Sequence, residues 1–215
     1  KTINFLKILI TIIMRPIDIL FMLTPFVAAK NNIASEVQNS RLFVCYGKIE
    51  PSLVKGYEFV ILESEHYNIS DVEIFKKYNK KVVAYVSLTE VNENAKIYKE
   101  VQKFTVGKNT NWNSHYLDLG NYETKIALYS FASKMFRKGF DGLFLDNLDN
   151  VSKWGSLKDQ KDDLVNLIKE IKKRHNNMFF VQNAGLFLAN ELKDDTDAIL
   201  VESVFSNYNL KENVS

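Results

Sequence analysis

Acids and amides recur at the carboxyl-side ends of short apolar runs in this sequence. RLFVCY leads to Tyr46 and Gly47, and EFVILE ends on Glu63 with Glu65 just beyond. KVVAYV carries Tyr85 and leads to Ser87 and Glu90, and DGLFLD ends on Asp146 with Asp149 beyond. MFFVQ ends on Gln182 beside Asn183, and DAILVE ends on Glu202. Every run but the first ends on a carboxylate, an amide or both, although acids make up only 26 of the 215 residues. An acid at a strand–helix turn can act as an N-cap, which accounts for Asp149. Asp146 and Glu202 directly follow unbroken apolar strands and are better suited to chemistry. Two carboxylates facing each other across a cleft are what glycosidic cleavage requires: one protonates the leaving oxygen, the other attacks the sugar or activates water. Glu202 lies between Ala-Ile-Leu-Val and Ser-Val-Phe, and apolar surroundings raise a carboxyl pKa, so it is assigned the general acid. Asp146, beside Asn147 and a polar loop, is assigned the charged partner. Tyr46, Glu63, Tyr85, Glu90, Asp149 and Asn183 are assigned to substrate binding. Carboxylates also collect at the strand ends of metal-dependent barrels. A lyase or isomerase with a metal on Asp146, Asp149 and Glu202 therefore stands as an alternative at this point.

Strands and helices in alternation must position these residues. Strands are expected at 41–46, 58–63, 81–86, 141–146, 178–182 and 197–202. A capping box, Ser70 to Glu73, opens a short helix through Tyr78. A helix is expected from Tyr122 to Lys138, with Ile126, Tyr129, Ala132, Ser133 and Phe136 on one face and Gly139 at the position after the C-cap. Another runs from Leu157 to His175, capped by Ser156 and Asp159 and striped by Leu157, Leu164, Leu167, Ile168 and Ile171. A short one covers Leu186 to Leu192. The connection from Ser87 to Asn121 is too long to be structureless. The apolar runs are continuous rather than alternating, as in strands buried on both faces of a parallel sheet. Repeated strand–helix units of this kind form a doubly wound sheet or a (β/α)₈ barrel, and in both the active site lies at the carboxyl ends of the strands.

Composition narrows the function. A net charge of +2 and the absence of a basic cluster interleaved with aromatics give no support for nucleic-acid binding. The single cysteine, Cys45, excludes a disulfide framework and a cysteine-based metal site. No glycine-rich nucleotide loop and no GxSxG elbow occurs. His66, His115 and His175 are scattered and read as surface residues. Trp112 and Trp154 fall in loops after strand ends, where aromatics stack on sugars or pack under the loop. From Ile8 to Ala29 the chain is almost wholly apolar, preceded by Lys1 and Lys7 and ending Val-Ala-Ala. About 20 such residues can cross a bilayer, so residues 1–29 are read as a signal or membrane anchor. Residues 30–40 are then a linker, 41–215 the barrel, and the expected location is extracytoplasmic, secreted or membrane-anchored.

Gly139 to Asp149 (GFDGLFLDNLD) resembles the signature of glycoside hydrolase family 114, the endo-α-1,4-polygalactosaminidase-like barrels. Lys80 to Asn92 (KKVVAYVSLTEVN), Asn111 to Asn121 (NWNSHYLDLGN) and Asp197 to Ser206 (DAILVESVFS) agree in order and spacing. The resemblance implies a (β/α)₈ TIM barrel hydrolysing α-1,4-linked galactosamine polymers, with no cofactor and no metal. Its strand-four aspartate would be Asp146 and its strand-six glutamate Glu202. Relatives often carry Asp where this chain has Glu63. Family members continue past the sixth strand, so the barrel is expected to be truncated after strand six. The expected partner is a polysaccharide, a cationic amino-sugar polymer. A carbohydrate-binding barrel without catalysis is the alternative.

Overall fold

The computed structural model describes residues 41–201 and the backbone of Lys7–Leu9. The strands are β1 (Lys7–Leu9), β2 (Leu42–Cys45), β3 (Phe59–Glu63), β4 (Lys81–Ser87), β5 (Glu90–Asn92), β6 (Thr105–Asn109), β7 (Ser114–Leu117), β8 (Gly142–Asp146), β9 (Phe179–Asn183) and β10 (Ala198–Val201). The helices are α1 (Ile69–Tyr78), α2 (Tyr98–Val101), α3 (Tyr122–Arg137) and α4 (Lys161–Arg174). The main sheet runs β1-β10-β9-β8-β4-β3-β2, and every neighbouring pair is parallel. The six expected strands all form, with ends shifted by a residue or two.

The sheet curls. Phe59 on β3 and Phe179 on β9 have two strands between them, yet their ring centroids are 5.5 Å apart. A flat sheet would separate them by roughly 14 Å, three strand spacings. Alternate residues face inward: Leu42, Phe59, Ile61, Val83, Phe144, Val181, Ala198 and Leu200 pack as one inner cluster. Their neighbours, including Phe43, Val60, Leu62, Val82, Ala84, Leu143, Leu145 and Phe180, face the helices. The result is part of a (β/α)₈ barrel, with both faces of the sheet buried as the continuous apolar runs require.

At the amino end of the strands one device occurs twice. Asp141, just before β8, accepts from Val82 N at 2.8 Å and pairs with Lys76 of α1 at 2.8 Å. Asp197, just before β10, accepts from Phe180 N at 2.8 Å and pairs with Lys172 of α4 at 2.8 Å. Each acid fixes together the start of its own strand, the neighbouring strand and the helix that leads into that neighbour. Carboxylates at this end of the barrel therefore serve stability, which fits the division of labour in TIM barrels.

Local details differ from the sequence expectations in explicable ways. The capping box of α1 is Asn68 with Asp71, not Ser70 with Glu73. Asn68 Oδ1 accepts from Asp71 N, and Asp71 Oδ2 accepts from Asn68 N. Asn is a strong N-cap, so the helix starts two residues earlier. On α3 the buried face is Thr124, Ala127, Leu128, Ala132 and Met135, while Ile126 is exposed. Leu157 is buried, but α4 itself begins at Lys161 after a short 3-10 turn and has no side-chain N-cap bond. Leu186–Leu188 is a 3-10 turn rather than an α-helix. The connection from Ser87 to Asn121 holds α2 and a three-stranded antiparallel sheet, β5-β7-β6.

The strand Lys7–Leu9 extends the sheet beyond β10. Ile8 and Leu9 of the amino-terminal apolar run thus belong to the sheet. Residues 10–29, the rest of the expected export or anchor segment, and residues 30–40 lie outside the described residues. No helix among the described residues is long and apolar enough to cross a membrane.

Gly142 opens β8 where β9 passes very close. A Cβ there would stand 1.7 Å from the Phe179 carbonyl oxygen, a backbone atom that cannot swing aside. Gly142→Ala should therefore destabilise the fold by about 3 kcal/mol, the upper end for overpacking. Urea titration checks this, and a variant as stable as the parent would show that the β8–β9 spacing is looser than described.

Candidate active site

Because strands alternate, the inward positions can be followed to the carboxyl end of the barrel. Val44 leads to Tyr46, Ile61 to Glu63, Val83 to Tyr85, Phe144 to Asp146 and Val181 to Asn183, each two residues on. All five of these end residues line one cavity of about 640 Å³. Its opposite wall comes from the β5–β7 insertion, through Val91, Ala95, Ile97, Val101, Trp112 and Leu117. Among the described residues the lining contains Glu63, Glu65, Glu90 and Asp146 but no lysine or arginine.

Asp146 is fixed through both oxygens. Tyr85 Oη donates to Oδ2 at 2.8 Å, and Asn183 Nδ2 donates to Oδ1 at 2.6 Å. Bonds to a carboxylate are shorter and stronger than neutral ones, so they hold its plane in the cleft. Tyr85 is in turn set by Tyr46, whose ring meets it edge-on at 5.2 Å. Burial, and then the neighbouring Asp146, push the Tyr85 phenol well above its ordinary range, so it remains a donor. The structure thus gives Tyr85 and Asn183 a role in orienting Asp146, in addition to lining the cleft.

Glu63 is the contrasting acid. It ends β3 opposite Tyr85 in the pairing register, and its Oε1 accepts from Glu65 N at 3.2 Å. The ammonium of Lys138 is nearby but donates to the carbonyls of Ser64 and Tyr67. Burial outweighs these partners and pushes Glu63 up from 4.5 to about 7. The protonated environment that the sequence suggested for Glu202 is found, among the described residues, at Glu63. Glu202 itself lies outside the described residues.

The other assigned residues have different surroundings. Glu90 borders the cavity but is only 5% exposed, and both its oxygens are taken by protein donors. Asp149 is not part of the lining. It accepts from the Gly185 backbone, and burial, with Asp146 nearby, raises its pKa. Gln182 points to the helix side, where its Nε2 donates to Ala184 O and Gly185 O. No cluster of three or more Asp, Glu, His or Cys able to hold a metal occurs among the described residues. Trp112 lines the cavity half exposed, whereas Trp154 stands 86% exposed outside the lining. His66 lines the cavity too. His115 instead pairs with Glu93. His175 is bonded to Ser133 at 3.0 Å.

Sequence reasoning passed over Asn150, Thr89 and Ser114, and took Asn147 only as a polar neighbour of Asp146; these residues surround the cleft's acids. Asn147 sits in the left-handed region at φ 60°. Asn tolerates that region better than most residues, so the Asp-Asn-Leu-Asp-Asn string was the available signal.

The raised Glu63 pKa has a stability consequence with a definite sign. Below about pH 4.5 the group is neutral in both states. As pH rises from there to about 7 the unfolded chain ionises while the folded one stays protonated, so stability is lost across that window. Glu63→Gln should remove this loss, gaining about 3 kcal/mol at pH 8 relative to the parent and close to nothing at pH 4. Denaturation at the two pH values tests it, and equal gains at both would show that Glu63 titrates normally.

Comparison with known proteins agrees with this architecture. A protein of Methanocaldococcus jannaschii described as uncharacterized is 26% identical over 134 residues, 55% of this chain and 38% of that protein's length. The chain therefore spans well under half of that relative. The glycoside hydrolase domain of PelA from Pseudomonas aeruginosa superposes with a TM-score of 0.70 at 21% identity, covering 80% of this chain and 70% of that one. Ega3 of Aspergillus fumigatus, in complex with galactosamine, gives a TM-score of 0.66 at 13% identity, covering 75% and 65%. At these identities the likeness establishes the fold. Residues 27–212 match glycoside-hydrolase family GH114 as a whole, a stretch containing every strand but β1 and the whole described cleft, and the chain belongs to that family.

Proposed function

We propose that this chain is the core of a glycoside hydrolase that cuts galactosamine-type polysaccharide with two carboxylates, needing no cofactor. The observation that carries the reading is Asp146, held by Tyr85 and Asn183 in an acid-lined cavity at the strand ends of a GH114 barrel. A carboxylate fixed in this way can attack an anomeric carbon or orient a water, provided a second group protonates the leaving oxygen. We assign that second role to Glu202. It follows the inward-facing Leu200 by two residues, the same step that leads from Phe144 to Asp146. Support for the substrate class comes from the cavity's excess of acids, which attracts cations, and from the galactosamine bound to Ega3. Free amines make such polymers cationic near neutral pH. Trp112 at the cavity mouth offers a face for sugar stacking.

Glu63 favours a second reading, in which it is the proton donor. It lines the same cavity as Asp146, with one strand between them, and is held protonated up to about pH 7. A carboxyl whose pKa is raised by its surroundings, facing a second carboxyl across a cleft, is the usual mark of a catalytic acid.

One set of variants separates the readings. Asp146→Asn should lower kcat on a galactosamine polymer by at least about 10²-fold while leaving polymer binding largely intact. Glu202→Gln should do the same, and Glu63→Gln should retain more activity. The reverse order of the two glutamates, with the alkaline limb near pH 7 disappearing in Glu63→Gln, would transfer the donor role to Glu63. Near-parental turnover in Asp146→Asn would remove it from the mechanism.

Polymer binding should also weaken as salt is added. It should weaken again on full N-acetylation, which removes the substrate's charge. Equal affinity for the acetylated, neutral polymer, measured by calorimetry, would refute charge-based recognition.

A further inference from the structure

Glu90 is the most deeply buried carboxylate of the cleft wall and has an unusual set of partners. Its Oε1 accepts from Ser114 Oγ at 3.0 Å, and its Oε2 accepts from Asn109 Nδ2 at 3.2 Å and Asn150 Nδ2 at 3.1 Å. No lysine, arginine or histidine lies within ion-pair reach of it among the described residues. A buried charge is tolerated only when it is fully hydrogen-bonded, and here three neutral donors do that. They come from β6, β7 and the turn after β8, so a single carboxylate joins the insertion to the turn that carries Asp146.

The network continues to that turn. Asn150 Nδ2 also donates to Thr89 Oγ1 at 2.9 Å, and Thr89 Oγ1 donates to Asn147 O at 2.7 Å. Asn147 Nδ2 donates to Ser87 Oγ at 2.9 Å, and Ser87 Oγ donates to Glu90 O at 2.7 Å. Asn147, the residue next to Asp146, is held in its left-handed conformation from both its side chain and its carbonyl. That conformation is uncommon for a residue with a side chain and persists where the surroundings over-determine it.

We infer that Glu90 is a positioning residue, the buried link through which the β5–β7 insertion fixes the β8 turn and hence the placement of Asp146. This rests on the hydrolase reading above. It replaces the substrate-binding role that the sequence suggested for Glu90, whose oxygens are already occupied. The insertion is then more than a wall of the cleft: without it the turn after β8 loses its outer support.

Kinetics and hydrogen exchange test the inference together. Glu90→Ala should lower kcat by about 10²-fold with KM nearly unchanged, as a small misplacement of a reacting group does. Glu90→Gln should recover most of that loss. Its remaining oxygen can accept from both asparagines, and its amide can donate to Ser114 once that hydroxyl turns. Asn150→Ala cuts the link from the turn side and serves should Glu90→Ala fail to fold. It should lower kcat in the same way and speed amide exchange across residues 147–151. An equal loss in Glu90→Gln and Glu90→Ala would mean that the charge itself acts on the substrate, which overturns the positioning role. So would a rise in KM alone, or unchanged exchange at 147–151 in Asn150→Ala. A parent protein inactive on every galactosamine polymer would defeat the hydrolase reading, while the exchange measurement would still decide whether the link holds the turn.

Discussion

The parallel pairing of β4 with β8, Ser87 opposite Asp146, is the constraint on which the cleft depends. A side chain in a strand faces one side or the other according to parity, and a slip of one residue would turn every inward group outward. Both faces of this sheet are covered, one by the inner cluster of Phe59, Ile61, Val83 and Phe144 and the other by the helices. A slip would therefore exchange the two packed faces along a whole strand, and the register is strongly specified. Once it is set, Tyr85 reaches Asp146 from one neighbouring strand and Asn183 reaches it from the other.

The two ends of the barrel use carboxylates differently. At the amino end, Asp141 and Asp197 each meet a lysine and a backbone N–H, and their charge is spent on joining strand to helix. At the carboxyl end, Glu63 and Asp146 face a shared cavity whose lining, among the described residues, has no lysine or arginine. Burying an acid costs stability when its partners do not make up for lost solvation, and burial raises the Glu63 pKa in this way. Sites where local rules of stability are broken are where function is to be sought. The insertion of β5 to β7 belongs to the same picture. It lines the cavity with apolar side chains, and it carries partners of Glu90, the carboxylate that also bonds the turn beyond Asp146.

Much of this was legible in the sequence. The six parallel strands followed from continuous β-rich runs; their alternation with helices left a doubly wound sheet or a barrel, and the family resemblance implied the barrel. Asp146 followed from its place directly after Gly-Leu-Phe-Leu. The period of two would also have sorted the strand-end residues: Tyr46, Glu63, Tyr85, Asp146 and Asn183 all lie an even number of positions from inward apolar residues of their own runs. Gln182 lies on the opposite parity and turns away. Glu90 and Asp149 follow their runs at a distance, in separate elements, where the parity of the run carries no information.

Sequence by itself determined the strand–helix class, the strands and the polar residues at their carboxyl ends, because these depend on hydrophobic periodicity and chain order, which are local. Only the tertiary structure decided what each polar group does. Whether an acid is exposed to the cavity, saturated by donors or pushed to the protonated form depends on atoms brought from distant parts of the chain. Glu90 meets Asn109, Ser114 and Asn150, and Asp146 meets Tyr85 and Asn183. Desolvation and hydrogen bonding act over a few ångströms in space, and no spacing along the chain encodes them.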